Sequence, residues 1–332
     1  MSETKANAEA LVPKFRFERL LNQDQAGRRT TLVGTIDFQP ALLVLERAPF
    51  PSSTDYLGAV AGSLQTIKNL GANDIYRWYL ANSGPIQPAD DPADSSSFAD
   101  LKINLIYPCT EKHIKKYSKQ GVRLVTETPA IYRDAVRPFM QAQRESGRLN
   151  WVFNIIEGRE EVEDVIYRTP YGEDPADEGF LLTPDLNWDR QTLDALHLLG
   201  LVERRDIWSL RDLRRRHIPW LRHMKAKFLE ATTKVYPTID EDQLKLYVHY
   251  QPTYYHFHIH IVHVALEAGA TQATGKAVGL DSIIEQLEGM RGDDEAGMDG
   301  VTLCYTLGEA SDLWTEVFEP LKRKDTASQS KR

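Results

Sequence analysis

Residues 254 to 264 read "YYHFHIHIVHV", four histidines in eleven positions of an otherwise apolar and aromatic run. Side chains alternate between the two faces of a strand. If 256–261 is one strand, His256, His258 and His260 share a face, and Phe257, Ile259 and Ile261 take the other. The imidazoles then stand about 7 Å apart, twice the rise per residue. His263 has the parity of the apolar face and is expected to pack there, partly buried. Three readings fit the imidazole face. Histidines that merely fill a core would need three separate hydrogen-bonding arrangements on alternate positions. H-x-H on a strand can place two ligands on one cation, but a metal hydrolase needs further His or carboxylate ligands, for which the sequence carries no signature. Nucleophilic catalysis at phosphorus is preferred, because a neutral imidazole attacks well near pH 7 and leaves readily from a phosphoramidate.

The elements that must position this strand can be read from period and punctuation. "LKLYVHY" is a second strand, joined to the histidine strand through "QPT", which suits a hairpin. "PAIYRDAVRPFMQAQRES" and "RLNWVFNII" have helical periodicity, and "VEDVIYRTP" with "FLLTP" suggests a two-stranded ribbon around a polar tip. "DRQTLDALHLLGLV" and "SLRDLRRRHIPWLRHMKAKFLEATTKVY" read as helices, with Ser209 and Asp212 as a capping box and Pro219 as a kink. Beyond "GLDSIIEQLEGM", the stretch "RGDDEAGMDG" looks disordered, "VTLCYTL" is a strand, 309–322 is an amphipathic helix, and the tail from Lys322 is expected to be mobile. Upstream, "TTLVGTIDF", "PALLVLER", "DIYRWYLAN" and "KINLIYP" read as short strands, the first two split by Gln-Pro, with a Pro/Asp/Ser-rich loop between the last two. Thr110 is the expected N-cap for a helix through "EKHIKKY".

At 332 residues the chain suits two domains, and 42% hydrophobic with 27% charged residues sits near the globular average. Cys109 and Cys304 alone make no disulfide framework or cysteine zinc site, so a reducing compartment is expected. No export leader or membrane anchor is expected from the N-terminal residues or from apolar runs as short as "ALLVL". A net charge of -8 argues against a long polyanion as partner. Lys112, Lys115, Lys116, Lys119 and Arg123 form a local basic cluster suited to an anionic ligand, whereas the basic block 204–217 reads as a solvated helix face.

"HFHIHIV" resembles the histidine triad superfamily of nucleotide hydrolases and transferases. Further blocks, "YPCTEKHIKKY", "WVFNII", "GFLLTPDLNW", "SLRDL" and "YVHYQPTYYHFHIH", recur in order over roughly residues 73 to 320 and resemble the scavenger mRNA decapping family. The resemblance implies an α+β protein: an N-terminal dimerisation and lid domain over 1–125, smaller and swapped between protomers of a homodimer, and a C-terminal histidine triad domain on an antiparallel sheet over 126–332. It implies hydrolysis of m7GpppN and short capped oligonucleotides, left by 3′ to 5′ mRNA decay, to m7GMP and a nucleoside diphosphate, without cofactor or metal.

Carried over by position, His258 is the implied nucleophile, with His256 and His260 orienting it. Trp151 would stack the cationic N7-methylguanine and Glu161 would accept hydrogen bonds from its Watson–Crick edge. Asp185 matches a ligand-contacting aspartate. Asn187 stands where the family pattern has a lysine near the phosphates, which removes one positive charge but keeps a hydrogen-bond donor. Lys116, Asn73 and Tyr76 match N-terminal residues that close over the cap, and His249, Thr253 and Tyr254 would line the phosphate site. The expected partners are the cap dinucleotide, short capped RNA and a second copy of the chain, with no long nucleic acid and no membrane. The cytoplasm is the expected location, with a nuclear fraction left open. The alternatives are a dinucleoside polyphosphate hydrolase, a non-catalytic cap-binding paralogue and a metal hydrolase.

Overall fold

The chain divides into two units, Met1–Lys119 and Gln120–Arg332, in a computed structural model that describes residues 5–24, 28–48, 50, 54–73, 76–84, 100–170, 178–185 and 188–329. The division falls at 119/120 rather than the expected 125/126, because residues 122–127 form a strand whose pairing lies wholly in the C-terminal unit.

In chain order the N-terminal unit contains α1 (Lys5–Glu9), β1 (Arg16–Asp24), β2 (Arg29–Ile36), β3 (Gln39–Arg47), α2 (Thr54–Gly62), β4 (Leu64–Asn73), β5 (Tyr76–Ser83), β6 (Leu101–Ile106) and α3 (Glu111–Tyr117). Strands β1, β2, β3 and β6 make an antiparallel sheet in that order, and β4 pairs with β5 as a separate ribbon. The hairpin between β2 and β3 turns at Asp37 and Phe38, both with positive φ, rather than at Gln-Pro. That backbone twist matches the right-handed twist of the flanking strands. Thr110 caps α3 together with His113 as a capping box. The acidic and proline-rich stretch 85–99 lies outside the described residues.

The C-terminal unit contains β7 (Val122–Glu127), α4 (Pro129–Ile131), α5 (Arg137–Glu145), α6 (Asn150–Ile156), β8 (Tyr167–Arg168), β9 (Phe180–Pro184), β10 (His197–Val202), α7 (Ile218–Val235), β11 (Leu244–His249), β12 (His258–His263), β13 (Ala277–Gly279), α8 (Leu280–Gly289), β14 (Leu303–Gly308) and α9 (Glu319–Gln329). Its main sheet is antiparallel in the order β13-β11-β12-β10-β9-β8, and β14 pairs with β7 beside it. Ile259 and Ile261 of β12, Leu198 of β10, and Leu221, Met224 and Phe228 of α7 belong to one continuous buried core. Among the described residues no helix is long and apolar enough to cross a membrane.

Several expectations are corrected. Residues 197–202 are a strand, not a helix. Lying between β12 and β9 and almost wholly buried, β10 runs from His197 through the unbroken stretch Leu198–Val202 without a polar residue and so lacks the two-residue alternation that marks a half-exposed strand. Pro219 opens α7 instead of kinking it, since the first helical turn has no need of its N–H. The connection from β11 to β12 spans 250–257, longer than a "QPT" turn. Residues 291–300 are ordered: Met298 is fully buried, and the Arg215 N–H donates to the Ala296 carbonyl at 2.9 Å. The last helix continues to Gln329.

The basic block 204–217 is not a solvated helix face either. Its Arg211 is fully buried against the equally buried Glu127 at the end of β7. The Glu127 carboxylate also accepts from Tyr250 Oη at 2.6 Å and Tyr305 Oη at 2.5 Å, while Arg211 Nη1 donates to the Met298 carbonyl at 2.7 Å. A buried ion pair is tolerable only when further hydrogen bonds satisfy both charges, and here they do.

Two stability outcomes follow. Glu127→Leu strands the Arg211 charge and is expected to lower the unfolding free energy of the C-terminal unit by about 3–5 kcal/mol in urea titration; a loss below about 1 kcal/mol would contradict the role of the pair. Gly200 faces Phe228, whose ring would lie 2.5 Å from an added Cβ. Gly200→Ala is therefore expected to cost roughly 1–3 kcal/mol by the same titration.

Candidate active site

The strand register sorts the main sheet into two faces. Tyr247 opposes His260, Leu201 opposes His258, and Leu199 opposes both His260 and Thr183. His258 and His260 therefore share a face with Tyr247 and His249 of β11, His197 and Leu201 of β10, and Thr183 of β9. Helix α6 covers part of it, with Val152, Ile155 and Ile156 packed on Leu181 and Leu201. Arg168 of β8 caps this helix, its Nη2 donating to the Ile155 carbonyl at 2.6 Å.

This packing presents a chain of rings. Trp151, at the N-terminal turn of α6 and 44% exposed, meets Tyr254 edge to face with centroids 5.0 Å apart. Tyr254 in turn stacks on His258, with centroids 4.3 Å apart and an interplanar angle of 18°. His258 and His260 have centroids 5.4 Å apart, and His249 lies 4.0 Å from His260. Tyr247 stacks on the His260 ring at 4.9 Å.

His256 departs from the expected row of three. It precedes β12, and its Nε2 donates to the Val202 carbonyl at 2.7 Å beside Phe153 of α6. Its own carbonyl accepts from His258 Nδ1 at 2.8 Å. That bond fixes a tautomer: with the proton on Nδ1, the His258 Nε2 lone pair is free. His263 is buried and accepts from the Ala265 N–H at 3.2 Å, the packing role expected of it.

Burial dominates the electrostatics. It pushes His258 down to about 4, with the positive charge of Lys276 adding to the effect and the His256 carbonyl and Asp185 opposing it. His249 and His256 are likewise pushed down to about 4, and His260 lies well below its ordinary value. At neutral pH the triad is uncharged, the state in which imidazole is nucleophilic.

Asp185 follows β9, its N–H donating to the His197 carbonyl at 2.9 Å and its Oδ2 lying 3.8 Å from His197 Nε2. His249 Nε2 donates to the Thr271 carbonyl at 2.7 Å. Thr253 is exposed in the connection leading to Tyr254. Glu161 sits in the turn after α6 with left-handed φ of 52°, and its pKa is raised first by partial desolvation, then by the Asp164 and Glu160 carboxylates. Asn187 lies outside the described residues. In the N-terminal unit, Lys116 occupies the last turn of α3, its Nζ 5.6 Å from the Tyr117 ring, and the backbones of Asn73 and Tyr76 pair across the β4–β5 ribbon. Arg123 belongs to the C-terminal unit and is paired there with Glu309 at 2.5 Å.

Three residues of this face were not anticipated. His197 was hidden by the helical reading of its segment. Tyr247 could have been found from its two-residue spacing to His249, which places both on one face. Lys276, half-buried beside the histidines with Nζ donating to the Gln251 carbonyl at 2.5 Å, carries no sequence signal beyond its charge.

Comparison with known proteins agrees over both units. The family descriptions "Scavenger mRNA decapping enzyme (DcpS) N-terminal" and "Scavenger mRNA decapping enzyme C-term binding" match residues 10–120 and 150–275. The m7GpppX diphosphatase of Schizosaccharomyces pombe is 37% identical, covering 97% of this chain and 98% of its own length. Those of Ascaris suum and Homo sapiens are 37% and 33% identical over 82% of this chain, covering 85% and 77% of their own lengths. The chain belongs to the scavenger mRNA decapping enzyme family.

Proposed function

We propose that this protein hydrolyses the residual mRNA cap, cleaving m7GpppN and short capped oligonucleotides to m7GMP and a nucleoside diphosphate or its oligonucleotide equivalent. The observation that carries the reading is the neutral His258 with Nδ1 tied to the His256 carbonyl and Nε2 unencumbered, linked through Tyr254 to an exposed indole at Trp151.

In the first step His258 Nε2 attacks the phosphorus next to the methylguanosine. A P–N bond forms, the anhydride P–O bond breaks, and the nucleoside diphosphate leaves. Water then attacks the phosphoramidate, releasing m7GMP and restoring the imidazole. His256 and His260 orient the nucleophile, while His249, Thr253, Tyr254 and Asp185 line the phosphate and ribose side. Lys276 supplies a positive charge close to the triad. Trp151 stacks the cationic base and Glu161 accepts its Watson–Crick hydrogens. No step uses a metal or cofactor.

Lys116, Asn73 and Tyr76 act from the N-terminal unit as a lid, delivered by exchange of that unit between two copies of the chain. Ile67, Leu70, Tyr79 and Leu80 of the β4–β5 ribbon support a homodimer, being 51–60% exposed, an apolar surface that a second copy would cover. A closing lid excludes long capped RNA, and the cytoplasm is the proposed location.

His258→Asn is expected to lower cap turnover by at least about 10³-fold in metal-free buffer with the fold intact. Turnover close to wild type, or abolition of wild-type activity by chelator, would sink the assignment. Trp151→Ala is expected to raise KM for m7GpppG about tenfold or more, as loss of one stacked base does. The wild type should prefer m7GpppG strongly over GpppG; equal rates would favour a dinucleoside polyphosphate hydrolase instead.

A further inference from the structure

His197 takes no part in the cap-hydrolysis steps proposed above. Its Nε2 lies 2.9 Å from His260 Nδ1 and 3.8 Å from Asp185 Oδ2. One ligand atom from each of Asp185, His197 and His260 lies within 4.8 Å of the others. His197 and His260 stand on the neighbouring strands β10 and β12, where the register puts both side chains on one face, and Asp185, the residue after β9, is held beside them by its N–H donating to the His197 carbonyl at 2.9 Å. Both histidines are buried and Asp185 nearly so.

We infer that Asp185, His197 and His260 form a binding site for a divalent transition metal of the zinc type, whose occupancy blocks the triad. Two imidazole nitrogens and one carboxylate oxygen are a donor set that zinc accepts with one position left for water. Tetrahedral bonds of about 2.0–2.1 Å would set the two nitrogens about 3.3 Å apart, so the rings need separate by only a few tenths of an ångström. Without metal, one of these two facing nitrogens donates to the other. Metal binding needs a lone pair on both, which a tautomer shift supplies. The His260 proton can move to Nε2, a buried atom with no hydrogen-bond partner, so the shift breaks no existing bond there. No proton need leave the protein. The ion would then hold His260, which flanks the proposed nucleophile, and Asp185, which lines the proposed ligand site, so metal and cap compete.

The test is titration of the metal-free full-length protein with Co²⁺, read by its visible d–d absorption. One saturable equivalent with a four- or five-coordinate spectrum is expected, displaced by Zn²⁺. His197→Leu should weaken binding by more than about a hundredfold, since even partners of ligands are worth 10–100-fold. Asp185→Asn, nearly isosteric, serves as a second variant and should also weaken it. His223→Gln should leave it unchanged, because His223, 3.3 Å from Glu178, belongs to no cluster of three ligand-type side chains among the described residues. Circular dichroism confirms the fold of each variant. No saturable band in the wild type, or an unchanged spectrum and affinity in both site variants, would overturn the site. The inhibitory consequence rests on the cap-hydrolysis reading: Zn²⁺ should raise KM for m7GpppG with kcat unchanged, and His197→Leu should be resistant. An intact cobalt spectrum in a protein that does not cleave caps would overturn that reading alone and leave the site standing.

Discussion

Two opposite charges with no exposure, Glu127 and Arg211, hold the C-terminal unit in register. Their desolvation can be offset only if every remaining donor and acceptor is met. The segments that meet them are otherwise remote in sequence: the end of β7, the turn at 210–212, Tyr250 just past β11, the loop at Met298 and Val301, and Tyr305 of β14. Tyr250 and Gln251 begin the connection to β12, so the ion pair fixes one end of the segment that delivers Tyr254 and His256. Lys276 fixes the same place from the other side through the Gln251 carbonyl. The histidine strand is thus hung from a polar knot in the core, which fixes the approach of its imidazole face.

The two faces of the sheet then divide the labour. Ile259 and Ile261 join Phe228 and Phe180 in the core, where Gly200 leaves room for the Phe228 ring. The opposite face gathers imidazoles, among them His249, His258 and His260, whose burial keeps them neutral at physiological pH. Environment grades outward along the ring chain, from buried His258 through half-buried Tyr254 to exposed Trp151. A phosphate-attacking nitrogen belongs at the dry end of such a gradient, and a platform for a cationic base belongs at the wet end.

Period-two alternation made the histidine strand legible from sequence, because alternate residues of one strand must share a face whatever surrounds them. The same rule assigned His263 to packing. It failed for His256, since the chain has not yet entered the ladder there and the ring is committed to the Val202 backbone. It failed for β10 because a strand buried almost throughout has no alternation to read, and His197 was lost with it. Arg211 was missed for a related reason: a run rich in arginine reads as solvated unless the buried partner is known, and Glu127 lies 84 residues away. The order in 291–300 likewise depends on distant groups, among them Arg214 and Arg215. Local pattern reports local constraint, and these features are set by long-range pairing.

A covalent intermediate on one named nitrogen is the most exposed part of the mechanism. Single-turnover reaction with m7GpppG, quenched within the first turnover and followed by peptide mass spectrometry under conditions that preserve phosphoramidates, reads it directly. The mass of m7GMP should appear on the peptide spanning 254–264, fragment to His258, and decay as m7GMP is released. Label on another residue, or its absence while product forms in a single burst-free phase with water attacking the cap itself, would contradict nucleophilic catalysis by His258.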